Sequence, residues 1–105
     1  MQIQINSDQS VAVDSTRAEI VTSTVQNALQ RFESKLTRVE VHLSDVNGLR
    51  SGPNDHRCLI EVRPAGHNPV VASEDAATPE ASAHGAAQKM QSLLTSFFAR
   101  LGNRS

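Results

Sequence analysis

The sequence predicts an α+β fold of order β-α-β-β-β-α, a four-stranded sheet with two helices packed on one of its faces. Three observations lead there. Apolar residues alternate with polar ones in three short runs, 38–43, 57–62 and 70–72, separated by turn-rich segments. Two longer stretches, behind Asp14 and behind Thr78, repeat apolar residues at helical spacing instead. A further alternating run, residues 2–6, precedes them all.

The N-terminal run reads Gln, Ile, Gln, Ile, Asn, a strand with Ile3 and Ile5 inward that joins the others as a fourth strand. After a turn at Ser7-Asp8-Gln9-Ser10, Asp14 is a good N-cap, and Ala18, Val21, Val25, Ala28, Leu29 and Phe32 form the apolar stripe of a helix over 15–32. Thr16-Arg17-Ala18-Glu19 also matches a capping box, but Asp14 suits the start of the stripe better. Residues 38–74 make an antiparallel meander. In it Val39, Val41 and Leu43, then Cys58, Ile60 and Val62, mark the dry side of two strands. Between them Asn47-Gly48 and Ser51-Gly52-Pro53-Asn54-Asp55 predict a long, mobile hairpin loop over 44–55, dispensable for folding. Pro64 and Pro69 bracket the second connection, because proline cannot donate to a central ladder. Residues 73–78 lead into the second helix. There Thr78 is the N-cap, Pro79 takes the first helical position, Glu80 favours the positive end of the dipole, and Gly102 is the stop. Its stripe is Ala83, Ala87, Met90, Leu94, Phe97 and Leu101, which suits a core better than a short coiled coil.

Composition narrows the function. The 105 residues suffice for a single domain with one modest core. Ten Lys and Arg against eleven Asp and Glu leave a net charge of −1, so any nucleic-acid contact must come from a local patch. A lone Cys58, on the predicted dry face, gives neither a disulfide nor metal-ligand spacing and reads as an inert core thiol. No apolar run approaches the roughly 20 residues that cross a bilayer, and the N-terminus lacks the pattern of a signal peptide; the expected location is the cytoplasm.

Chemistry is sparsely signalled. His42, Asp45, Asp55 and His56 gather around the long hairpin, but as an ordinary polar strand and turn rather than at ligand spacing; His67 and His84 stand alone. No nucleophile elbow, Walker loop or dinucleotide fingerprint is present, so no catalytic residue, metal, cofactor or small-molecule substrate is expected. Phosphate binding is the remaining chemistry. At about 100° per residue, Lys89 and Arg100 fall within about 20° of each other on the second helix, with Arg104 beyond. Arg17 and Arg31 share an edge of the first helix, and side-by-side helices would let these edges merge with Lys35 into a basic strip. Boundary cations of this kind also occur on any amphipathic helix. With no Tyr or Trp, and Phe32 and Phe97 both in core stripes, the sheet offers no platform for stacking bases. Shape-and-phosphate binding of structured RNA is what these residues allow.

Nearly the whole chain resembles the short ribosome hibernation-promoting factors and the ribosome-associated inhibitor A group. The likeness rests on Met1-Gln2-Ile3-Gln4-Ile5, Val11-Ala12-Val13-Asp14 before a helix ending Leu29-Gln30-Arg31-Phe32, Val39-Glu40-Val41-His42-Leu43, and Ala72-Ser73-Glu74-Asp75. It rests also on Ala81-Ser82-Ala83-His84-Gly85-Ala86-Ala87-Gln88-Lys89-Met90, similar to the family's Ala-Ala-Ile-Asp-x-x-x-Asp-Lys-Leu. The resemblance implies the same β-α-β-β-β-α fold. It also implies binding to 16S-type rRNA of the small ribosomal subunit, in the channel of messenger and transfer RNA, so that ribosomes idle in stress or stationary phase.

Departures from the family pattern are local. Lys89 matches a family cation and Arg100 falls where its Lys-rich end would be, but Ser92 stands where Arg is usual, and Thr24 and Asn27 replace basic residues of the first helix. Gln88 and His84 replace acidic ones. The chain stops at Ser105, short of the extension by which long members pair ribosomes. The alternative expectation is a protein of this fold that has lost ribosome binding and acts through protein contacts, as a weak homodimer.

Overall fold

The computed structural model describes residues 1–8, 13–46 and 54–102. Strand β1 (Ile3–Ser7) leads to helix α1 (Ser15–Leu29), which tightens into a 3-10 turn, Gln30–Lys35. Strands β2 (Leu36–Asp45), β3 (His56–Pro64) and β4 (Val70–Ala76) follow, and helix α2 (Pro79–Gly102) closes the order. The expected α+β architecture is thus present. The sheet order is β1-β2-β3-β4, with β2, β3 and β4 antiparallel and β1 parallel to β2.

Both helices start where their caps direct. Asp14 Oδ1 accepts from the Arg17 backbone N–H at 2.8 Å, and Thr78 Oγ1 from that of Ala81 at 3.0 Å, each satisfying an amide the first helical turn leaves free. The Thr16–Glu19 capping-box match goes unused.

The core lies between the helix pair and one face of the sheet. Val39, Val41, Leu43, Cys58, Ile60 and Val62 come from the sheet, and Val21, Val25, Leu29, Ala83, Ala87, Met90 and Leu94 from the helices, all buried. Leu29, Met90 and Leu94 are fully enclosed, so truncating any one to Ala would cost about 2–5 kcal/mol. In α2, Ala83, Ala86 and Ala87 keep the helix low over the strands. The buried Ser82 satisfies its hydroxyl locally by donating to the Pro79 carbonyl at 2.7 Å.

Several boundaries differ from the sequence reading. The first helix stops being α-helical at Leu29, and Phe32 enters the core from the tighter turn that follows. Strand β2 continues to Asp45, and the Val46 N–H donates to the Asp55 carbonyl at 2.9 Å, so both ends of the expected loop over 44–55 belong to the ladder; residues 47–53 lie outside the described residues. Strand β4 runs on to Ala76, although 73–78 read as a lead-in to the helix. The reason is tertiary. Glu74 lies opposite Cys58 in the register and so sits on the helix-facing side, where an acidic residue breaks the alternation a strand shows in sequence.

Candidate nucleic-acid interface

The two helices lie side by side and parallel, with their N-terminal ends together. Arg17 Nε is 2.7 Å from Glu80 Oε1 near the two starts, and fourteen residues on Arg31 Nη2 donates to Thr95 Oγ1. The Thr95 hydroxyl in turn donates to the Gln91 carbonyl at 2.7 Å.

The groove between the helices is nearly uncharged. Beyond the Arg17–Glu80 pair, Thr24, Asn27, His84, Gln88 and Gln91 line its first half, and Ser92, Thr95 and Ser96 line the second with Arg31. The predicted basic residues therefore do not form one strip along it. Arg17 is held by Glu80, about 21 Å along the axis from Arg31 at 1.5 Å per residue. Lys89 lies on the opposite flank of α2, toward the edge strand β4. Its ammonium donates to the Ser73 carbonyl at 3.0 Å and to Glu74 Oε1 at 3.2 Å.

Gly85 makes that pair possible. A Cβ there would lie 2.6 Å from Glu74 Cγ, so the glycine leaves the space in which the Glu74 side chain crosses from β4 to α2. This contact was missed from sequence; a glycine inside a helical pattern is the signal that could have found it, since it weakens a helix unless something packs against it. With Lys89 over the Ser73 carbonyl, the free edge of the sheet is also partly covered.

Arg31 and Lys35 lie at the C-terminal end of α1, and Arg100 lies in the last turn of α2 at the same end of the helix pair, on the flank it shares with Lys89. Arg31 lies over the Phe32 ring at 4.7 Å and Lys35 Nζ over that of Phe98 at 4.9 Å. The Ala65 N–H donates to the Lys35 carbonyl at 2.9 Å, which brings the β3–β4 turn to the same end. Arg100 is exposed three residues beyond Phe97, adjacent to it on the helix surface, and no described residue pairs with it. Arg104 lies outside the described residues.

The aromatic residues correct one expectation. Phe97 is not a core residue; like Phe98 it is only half-buried, and His67 packs edge-on against it with ring centroids 5.3 Å apart. The sheet itself carries no Phe on its open face. That face is polar, with Gln4, Arg38, Glu40, Glu61 and Arg63 among its residues. Glu40 faces Glu61 and Arg38 faces Arg63 across β2 and β3, like charges that repel. Arg38 compensates along its own strand by pairing with Glu40 at 2.7 Å. Arg57 pairs with neither Glu40 nor Glu61; it donates to the two carboxylate oxygens of Asp75 in β4 through Nε and Nη2, at 2.7 and 3.1 Å. The reason is the register, which sets Arg57 directly opposite Asp75. The bond holds the Asp75 carboxyl below the usual carboxylate range.

Around the hairpin, Asp45 lies opposite His56, and His56 Nε2 is 3.6 Å from Asp55 Oδ1. Among the described residues no three His, Cys, Asp or Glu side chains are grouped to hold a metal ion, and no helix is long and apolar enough to cross a membrane.

Comparison with known proteins places this frame. The family model described as sigma 54 modulation protein / S30EA ribosomal protein matches residues 3–101, from β1 nearly to the end of α2. The chain belongs to this family. The ribosome hibernation resemblance read from the sequence is thereby shown. No curated protein matches in sequence. Among solved structures, a ribosomal subunit interface protein from Coxiella burnetii superposes with a TM-score of 0.76 at 13% identity, over 94% of this chain and 99% of that one. The N-terminal domain of Protein Y from Thermus thermophilus gives 0.71 at 18% identity, over 92% of this chain and 99% of that one. At such identities these likenesses bear on the fold alone.

Proposed function

We propose that the chain, acting as one unit over residues 1–105, binds the small ribosomal subunit in the channel of messenger and transfer RNA and inhibits translation, holding ribosomes idle without catalysing a reaction. The observation that carries this reading is the family match over 3–101, which covers the frame that brings Arg31, Lys35 and Arg100 to one end of the helix pair. Three cations with few acidic neighbours suit rRNA phosphates, whose counterions they would release. Arg17 and Lys89, already engaged by carboxylates, contribute less until those pairs open.

Co-sedimentation tests it. The protein is expected to travel with small subunits at low salt, and Arg31→Glu, Lys35→Glu and Arg100→Glu together are expected to weaken binding at least tenfold and flatten the salt slope by about three units. Arg57→Glu with Arg63→Glu, on the open sheet face, is the control and leaves binding unchanged. Protein that stays at the top of the gradient at low salt overturns the reading.

A second reading, a protein-binding member that forms a weak homodimer, draws on one feature. Val71 on the edge strand is 50% exposed and Leu93 of α2 is 43% exposed, and both line the same shallow groove between β4 and α2. Sedimentation velocity across a concentration series distinguishes it: a dimer abolished by Val71→Lys with Leu93→Lys supports the second reading.

A further inference from the structure

All three phenylalanines of the chain meet at one end of the molecule. Phe32 and Phe98 stack at 5.5 Å with their planes 23° apart, and Phe97 meets Phe98 edge to face at 5.1 Å. His67 extends the row at 5.3 Å from Phe97. Its place is set by a turn in which the His67 N–H donates to the Pro64 carbonyl at 3.0 Å and Gly66 takes a φ of 77°, a left-handed position that a glycine occupies without strain. That turn folds back beside Lys35, so His67 comes to Phe97 from the sheet while Arg31 and Lys35 come to Phe32 and Phe98 from the end of α1.

Only the inner part of this row is core. Phe32 is 6% exposed, whereas Phe98 and Phe97 keep part of their rings in solvent and His67 is exposed. Partly exposed rings with cations beside them supply the two kinds of group that single-strand recognition uses: a π surface on which any base can stack, and positive groups for phosphates. The surroundings argue for an anion. Arg31, Lys35 and Arg100 border the cluster, and Glu33 is the acidic residue among them on the same short turn.

We propose that one ring of the edge-on Phe97–His67 pair is a stacking platform for an unpaired RNA base and that the other ring holds it in place, with Arg31 and Lys35 on one side and Arg100 on the other holding the adjoining phosphates. This rests on the proposed RNA-binding function but names a contact of a different kind. Charge alone reads shape and phosphate; a stacked base requires that the nucleotide be flipped out or single-stranded. The site is on the helix ends and the β3–β4 turn, away from the sheet face.

The test uses the whole chain with two RNA-like probes of equal phosphate number. One is a hexamer of adenylates and the other a hexamer of abasic ribose-phosphate, each titrated at low salt and followed by anisotropy of a terminal dye. The adenylate is expected to bind on the order of tenfold tighter. Phe97→Leu, which keeps apolar volume, and His67→Ala, in an exposed turn, are each expected to reduce that preference severalfold while leaving the thermal midpoint and the affinity for the abasic probe nearly unchanged. Equal affinity for the two probes overturns the proposal, as does a preference that both variants retain. If neither probe binds while small subunits still co-sediment, the stacking site is refuted and the ribosome reading stands. Failure of both probes and subunits removes the two together. Tight capture of an aromatic peptide without any base preference assigns the cluster to protein recognition and likewise refutes it.

Discussion

Glu74 Oε1 of the edge strand and Lys89 Nζ of α2 lie 3.2 Å apart, joined across a gap that only a glycine at position 85 leaves open. Lys89 is therefore engaged inside the fold and shares its charge with a carboxylate. Both side chains are more than a third exposed, so the pair contributes little to stability, and its larger effect is on what Lys89 can bind.

Replacing Glu74 by Gln should release that charge. The expected result is a small change in thermal midpoint, a few degrees at most, since an exposed pair is worth at most about 1 kcal/mol. Affinity for small subunits should rise about threefold to tenfold at low salt, and the salt slope should steepen by about one unit, as one more phosphate contact requires. Sedimentation across a salt series checks both; an unchanged slope means that Lys89 does not reach phosphate.

Gly85→Ala tests the same contact from the helix side. Alanine favours the helix by about 1 kcal/mol, but its Cβ would meet Glu74 Cγ at 2.6 Å and push the carboxylate away. In the native background the two effects should nearly cancel. Combined with Glu74→Ala, which empties the space, the same substitution should stabilise by about 1 kcal/mol and raise the midpoint by about 4–8 °C. The cycle of four proteins measures the coupling, and simple additivity would show that the side chains do not meet.

Cys58 should be chemically silent while the protein is folded. Burial pushes its thiol up to about 12, so almost no thiolate is present at neutral pH. A thiol reagent should react only as fast as the chain opens, and at full speed in denaturant. Rapid reaction in native buffer would place the thiol outside the core. Cys58→Ser, by burying a hydroxyl opposite Glu74 in β4, should cost about 1–3 kcal/mol if that hydroxyl stays unpaired.

The Arg57–Asp75 bond makes a prediction with a sign. Hydrogen bonding from Arg57 lowers the folded-state value of Asp75 relative to the unfolded chain, where an Asp titrates near about 3.9. The bond's contribution is then complete above that value and is lost as pH falls through the lower, folded-state one. Thermal midpoints of the native protein and Asp75→Asn should converge in acid and differ most near neutrality. Because both groups are exposed, added salt should shrink the difference; a gap that widens toward acid would contradict the assignment.

The sequence by itself determined the elements and their inner faces. Alternation of Val39, Val41 and Leu43 with polar residues, caps at Asp14 and Thr78, and the stop at Gly102 are local signals, and local backbone preference and one buried face suffice to express them. It also listed the cations, by type and by angle on a helix. What it left open was where the opposite wall lies. Lys89 and Arg100 share an edge of α2 in sequence, but only packing decides that this edge faces β4, where Glu74 waits, while Arg31 reaches Thr95, 64 residues away. Phe97 looked like core because it continues an apolar stripe, yet beyond Leu94 the helix runs toward the end of the sheet, and the burial its spacing promises is only half supplied. Periodicity describes one element at a time, whereas partners depend on contacts between elements distant along the chain, and these exist only once the helices are parallel and the edge strand is in register.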